Sequence, residues 1–199
     1  MELTFAGLPL PLRITPPTPL SEDDLMRFSS EHKGFPVELD SNGDILIMSP
    51  TGIGGSDANV EIVFALQLWN REMGYPGTVT DSNGGYRLPD GSVRAPDAGW
   101  IKADRLQHLT REQRKKFGPG APDFVVELRS PSDSLTLLKE KMQIWMRNGV
   151  HLAWLIDPET RTVAIYRPGR EPERLDNISQ VAGEGPVAGF VLPLDRIFA

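Results

Sequence analysis

Apolar residues in this chain fall into short blocks and longer arcs, and the two spacings predict different elements. Blocks of four to six residues closed by Gly, Pro, Asn or Asp predict strands. Val37-Glu38-Leu39-Asp40 and Asp44-Ile45-Leu46-Ile47-Met48 are two of them, and the Asn42-Gly43 pair between them signals a hairpin. Further blocks lie around Thr78–Asp81 and Tyr86–Leu88, ahead of a Pro89-Asp90-Gly91 turn, and in the runs 94–101 and 122–129. Leu152–Ile156 and Thr162–Tyr166 predict another hairpin across Asp157-Pro158-Glu159-Thr160. The longer arcs predict helices. Ser21 followed by Glu22, Asp23 and Asp24 is a capped start whose acids complement the helix dipole. A glycine-rich stretch, Gly52 to Ser56, leads into a long apolar helix from about Asp57 to Met73. A third helix starts after Ser130-Pro131-Ser132-Asp133-Ser134 and ends near Asn148-Gly149. Thr110 and Gln113 form a capping box that predicts a short helix. The tail after Arg167 is rich in Gly and Pro, with only short strand-like runs. This mixed α/β order, without repeat or linker, predicts one domain over residues 1–199, its core about 20–168 with an extension at each end.

Composition narrows the chemistry. The 199 residues include no cysteine, which excludes disulfides, zinc–thiolate sites, iron–sulfur clusters and a Cys nucleophile. The stretch from Met1 to Leu20 lacks the basic-then-apolar order of a secretory signal. No apolar run approaches the roughly 18 residues that span a bilayer. A cytoplasmic protein with no membrane partner is therefore expected. The formal charge of −6 argues against bulk electrostatic coating of nucleic acid, yet leaves room for an acidic metal site beside a local basic patch. The densest basic run, Arg111 to Lys116, reads first as a solvated face and second as a phosphate contact.

Two acids stand out. Asp97 lies in Arg94-Ala95-Pro96-Asp97-Ala98, and Glu127 in Val125-Val126-Glu127-Leu128, each within a buried-strand pattern. An unpaired buried carboxylate is costly, and a bound cation is one way to offset it. Two on neighbouring strands would form a hard-cation site. Arg129, two residues after Glu127, and Asp123, four before it, share its face of the strand. On the following helix Lys141 borders the apolar arc of Leu135, Leu138, Met142, Trp145 and Met146, with Lys139 at the opposite border. A snorkelling surface lysine is the plain alternative for Lys141. Glu61 falls within the apolar stripe of its helix, which calls for a cation or a base such as Arg129 as partner; a buried ion pair competes with an active-site role. The plain alternative for Asp97 is a turn residue after Pro96, and Asp123, directly after Gly118 to Pro122, reads first as a turn or strand-start residue.

Taken together these stretches resemble a known family. Pro96-Asp97, then Glu127-Leu128-Arg129 about thirty residues on, is similar to the core of the PD-(D/E)XK nuclease superfamily. Ile47 to Gly52, Arg94 to Ala98, Pro122 to Asp133, Lys141 ahead of Asn148-Gly149-Val150, and Trp154 to Pro158 more closely resemble the Uma2 family, also called DUF820, over roughly residues 20 to 168. The resemblance implies a restriction-endonuclease-like α/β fold, a central mixed β-sheet flanked by helices with additional β-hairpins. It implies an Mg²⁺- or Mn²⁺-dependent endonuclease hydrolysing phosphodiester bonds in nucleic acid, DNA being the expected substrate and a homodimer the expected assembly by analogy. Asp97 and Glu127, with the carbonyl of Leu128, would hold the metal. The superfamily pattern expects Lys where Arg129 stands, and Arg is a poor proton shuttle because it stays charged. Uma2-type sequences carry a lysine further on, where this chain has Lys141. Arg129 would then bind phosphate or Glu61, and Glu61 would match the helix-borne acid of the superfamily. Asp57-Ala58-Asn59 departs from the His often found near the start of that helix.

Two rival functions remain at this stage. One is a binding module of the same fold, for nucleic acid or protein, whose catalysis has decayed. The other is a phosphate- or nucleotide-binding enzyme using Gly52 to Ser56 at a helix N-terminus, although no Gly-Lys-Ser/Thr ending follows. The three histidines share no metal-ligand spacing, and no Gly-x-Ser-x-Gly elbow is present.

Overall fold

The short blocks become strands and the longer arcs become helices in the computed structural model, which describes residues 11–32 and 36–199. In chain order the first elements are β1 (Leu12–Ile14), α1 (Glu22–Glu31), β2 (Val37–Leu39), β3 (Ile45–Ile47), α2 (Ile53–Glu72), β4 (Gly77–Asp81), β5 (Tyr86–Arg87) and β6 (Val93–Arg94). Then come β7 (Ala98–Lys102), α3 (Ala103–Leu106), β8 (Gly118–Pro119), β9 (Phe124–Leu128), α4 (Leu135–Arg147) and β10 (Leu152–Asp157). The chain closes with β11 (Thr162–Tyr166), β12 (Glu173–Asp176), β13 (Gln180–Ala182) and β14 (Val191–Pro193). Residues 1–10, part of the stretch read for a leader, lie outside the described residues.

The central sheet has the order β12-β11-β10-β9-β7-β4. Only β9 and β10 run parallel, because α4 carries the chain back between them. Both strands are buried along their whole length, as expected of strands covered on two faces. Alternation sorts β9 cleanly. Phe124, Val126 and Leu128 join the cluster under α2, while Val125 joins the cluster under α4. A second sheet, β1-β3-β2-β6-β5-β8, gathers the N-terminal hairpins. Its Asn42-Gly43 turn forms as expected, with Gly43 at φ +86° and the Asp40 carboxylate accepting from the backbone N–H of Asn42 and Asp44.

Three elements depart from expectation. α2 starts at Ile53, about four residues early, so the glycine stretch is its first turn rather than a loop before it. At Gly55 a Cβ would come within 2.3 Å of the Thr51 hydroxyl, so any other residue there would require that side chain to turn away. The Thr110–Gln113 box forms in both directions, yet only a single 3-10 turn follows at Gln113–Lys115. Residues 111–116 are all exposed and offer no apolar stripe to pack, which a short helix needs. The C-terminal stretch is part of the core: Val187, Phe190, Leu192 and Leu194 are buried against the α2 face of the central sheet. No helix among the described residues is long and apolar enough to cross a membrane.

Candidate active site

Backbone register brings the two acids together. β7 and β9 pair antiparallel with Ala98 opposite Val126 and Gly99 opposite Val125, so one further step sets Asp97 opposite Glu127. By the same alternation Glu127 points to the α4 side, away from Val126 and Leu128. Asp97 accepts the Leu128 N–H at 2.7 Å, which ties the start of β7 to the end of β9. Asp97 stands at a bend after Pro96, and only its Oδ2 takes up that amide.

The second sheet arrives at the same point. Only Ala95 and Pro96 separate Arg94, at the end of β6, from Asp97. Leu39 of β2 pairs with Val93 of β6, which sets Glu38 opposite Arg94. Both are buried, and Arg94 donates to Glu38 Oε2 at 2.7 Å. From α4, Lys141 reaches into the gap between the sheets. Its ammonium lies 3.0 Å from Glu127 Oε1, 2.9 Å from Glu38 Oε1 and 2.9 Å from the Ala95 carbonyl. Trp145, one turn later on the same helix face, donates its indole N–H to Glu127 Oε1 at 2.7 Å. The lysine therefore does not snorkel. Its side chain is 13% exposed and tied to both glutamates.

The charges in this cluster do not balance. Asp97, Glu127 and Glu38 supply three carboxylates against two cations, Lys141 and Arg94. Burial pushes the Glu127 carboxyl up to about 8, assisted by the neighbouring Asp97 and Glu38, despite the opposing pull of Lys141. Burial also raises Asp97 above the usual carboxylate range. For Glu38 burial acts in the same sense but loses to Lys141 and Arg94, so its pKa is lowered. Burial works against the charge on Lys141, yet Glu127, Glu38 and Asp97 outweigh it and hold the ammonium protonated. The surplus negative charge can be met by a proton on Glu127 or by a cation. The donors here are oxygens alone, which suit a hard ion such as Mg²⁺ or Mn²⁺. No three acidic or histidine side chains among the described residues are placed to hold one ion together, so such an ion would need carbonyl, water or substrate oxygens as well.

A cleft of about 640 Å³ opens over this cluster, lined from both sheets, α4 and the first turns of α2. Arg94, Arg129 and Asn59 line it, and each carries a buried polar atom without a protein partner: Nε, Nε and Oδ1. Arg129 does not meet Glu61. It donates to Asp157 at 2.9 Å and lies 3.2 Å from Glu159, acids of the β10–β11 turn, because the chain leaves β9 beside that turn. Glu61 is not among the cleft residues. The buried stripe of α2 is centred on Ile62, and Glu61 sits 100° round from it, partly exposed, with Arg196 at 3.7 Å. Asp123 takes the strand-start role, accepting from the Lys102 N–H and from Arg105. Lys139 is exposed.

Glu38, Arg94 and Trp145 are the members that sequence reading did not pick out. Glu38 and Arg94 are charged residues inside strand patterns, the same signal that singled out Glu127. For Trp145, an indole in an apolar arc gives no sign of what its N–H will meet.

No curated protein matches the chain. Among solved structures, one described as "a putative nuclease belonging to DUF820 from Anabaena variabilis ATCC 29413" has a similar fold, with a TM-score of 0.72 and 21% identity. The likeness covers 90% of this chain and 98% of that one. A family model described as "Uma2: Putative restriction endonuclease" matches residues 22–195. With its fold matched and its acids and lysine set together between two sheets, this chain belongs to the Uma2 family.

Proposed function

We propose that this protein is a metal-dependent nuclease that hydrolyses phosphodiester bonds in nucleic acid, with DNA the expected substrate. One observation carries the reading: Asp97 and Glu127 lie across the β7–β9 register from each other, with the Lys141 ammonium against Glu127, under an open cleft. The family description and the fold likeness point the same way. Asp97, Glu127 and the Leu128 carbonyl would hold Mg²⁺ or Mn²⁺. Such an ion, when bound, polarises the phosphate and supplies a water of lowered pKa.

The chain's own groups have separable tasks. Glu127, whose carboxyl burial holds protonated near neutral pH, would give up that proton to ligate the cation, and the divalent charge would turn the cluster's surplus from one negative to one positive. Lys141 is too strongly held in its charged form to act as a base, so it serves as a fixed positive charge facing the phosphate, a contribution of about 3–4 kcal/mol where a comparable donor has been removed. Glu38 and the Ala95 carbonyl hold the ammonium in place independently of Glu127. Arg94 and Arg129, which line the cleft, set their guanidinium charge beside the place a phosphate would take. Arg129, fixed by Asp157 and Glu159, positions substrate rather than moving protons.

The test pairs Mn²⁺ titration calorimetry with cleavage of supercoiled, linear and single-stranded DNA and of RNA. Wild type binds Mn²⁺ and cleaves at least one substrate, while Glu127→Gln retains its fold and loses both. Cleavage at the wild-type rate in Glu127→Gln would remove this mechanism. Mn²⁺ binding without cleavage of any substrate would favour the non-catalytic module.

A further inference from the structure

Helix α2 carries a second apolar stripe, opposite the one it buries. At 100° per residue, Ala58, Ile62, Leu66 and Trp69 form the buried side, centred on Ile62. Ile53, Val60 and Phe64 fall within about 20° of the diametrically opposite line. They are 92%, 62% and 63% exposed, and Tyr75, just past the helix, is 55% exposed. A helix apolar on both sides is normally covered on both sides, and a contiguous exposed patch of this kind marks an interaction surface.

The charges on the same line indicate the occupant. Asp57 and Arg71 both lie on the stripe, seven residues before and seven residues after Phe64. A second copy of α2 laid antiparallel across Phe64 sets each Asp57 against Arg71 of the partner subunit, so the ion pair forms twice. The same two-fold axis stacks the two Phe64 side chains at the centre. Antiparallel alignment also opposes the helix dipoles favourably. A parallel pairing would set Asp57 against Asp57 and Arg71 against Arg71. Within the subunit Asp57 meets Arg196 at 3.3 Å with both side chains more than half exposed, whereas Arg71 makes no ion pair among the described residues.

We infer that the outer face of α2 is a homodimer interface in which two copies pair antiparallel about Phe64. The inference stands on this helix alone and does not depend on the chemistry in the cleft. Sedimentation equilibrium on the full chain, from micromolar to sub-millimolar concentration, is expected to give twice the 22.0 kDa chain mass. Phe64→Glu, a change at an exposed position, gives a monomer with an unchanged circular dichroism spectrum. Asp57→Arg and Arg71→Asp each place like charges together twice and weaken association by about tenfold or more. The double variant Asp57→Arg/Arg71→Asp restores it. A wild type that stays monomeric throughout, or a dimer that survives Phe64→Glu, overturns the inference. So does a double variant no tighter than the single ones, because the antiparallel register would then be wrong.

Discussion

Lys141 shows how much one residue can hold together. It meets glutamates from two different sheets, so its removal leaves the ionised Glu38 with one cation fewer and Glu127 without its ammonium donor. Breaking a buried pair from one side costs about 3–5 kcal/mol. Glu38 keeps Arg94 as a partner, which places Lys141→Met near the low end, about 3 kcal/mol in urea unfolding. A loss near zero would mean that the ammonium adds nothing to the folded state. Glu127 makes a pH prediction. Its carboxyl rises from an ordinary 4.5 to about 8 on folding, so the folded state holds a proton that the unfolded state releases. Stability from this group is therefore complete below pH 4.5 and is lost as pH climbs through 8, at up to about 1.4 kcal/mol per pH unit. Melting temperatures of wild type and Glu127→Gln between pH 5 and pH 9 should diverge, with the wild type falling behind as pH rises. A constant gap would show Glu127 ionised throughout.

Among the elements, α2 depends on one polar residue at its C-terminal end. Asn70 is buried, accepts the Gly77 N–H at 3.2 Å and the Trp100 indole N–H at 2.9 Å, and donates to the Gly77 carbonyl at 3.1 Å. It thereby fastens the helix to β4 and β7, the strand that follows Asp97. Asn70→Ala leaves three buried groups unpaired, at a cost of about 2–5 kcal/mol. Chemical denaturation would read this directly, and a loss below about 1 kcal/mol would mean that water replaces the amide. Gly77 belongs to the same junction, since a Cβ there would lie 2.3 Å from the Trp100 ring. The sequence pattern gives α2 as a helix, but it puts Glu61 within the apolar stripe and shows nothing of this fastening. An Asn near a helix end reads equally well as an exposed cap.

For the molecule as a whole, the tail after Arg167 determines whether the α2 face of the central sheet is closed. Phe190 packs on Trp154 at 5.6 Å between ring centroids and on Trp69 at 5.9 Å. Truncating it to alanine should cost about 3–5 kcal/mol, as much as a substitution in β9 or β10. A chain ending after Asp176 should expose Trp154 and bind hydrophobic dyes. A cooperative melt at the full-length temperature would show that the segment is dispensable. The tail looks slight in sequence because its apolar residues are scattered among Gly and Pro, and its strands are only three or four residues long.

What the sequence determined by itself is local. Alternation and turn residues mark β2, β3, β9, β10 and β11, and the same alternation identifies Asp97 and Glu127 as acids in buried surroundings. These follow from backbone periodicity and the cost of burying charge, which do not require knowledge of partners. The partners themselves came only with tertiary structure. Glu38 reaches Lys141, and shares its carboxylate with Arg94, because two separate sheets meet at a link of three residues, Ala95, Pro96 and Asp97. Arg129 turns to Asp157 and Glu159 instead of Glu61 because β9 ends beside the β10–β11 turn. Glu61 sits partly exposed because helix rotation is set by what packs against Ile62 and Leu66 rather than by an ideal wheel. A strand or helix pattern fixes that a side chain is buried. Which other side chain it meets depends on contacts between residues far apart in the chain, and those exist only once the sheets and helices have packed.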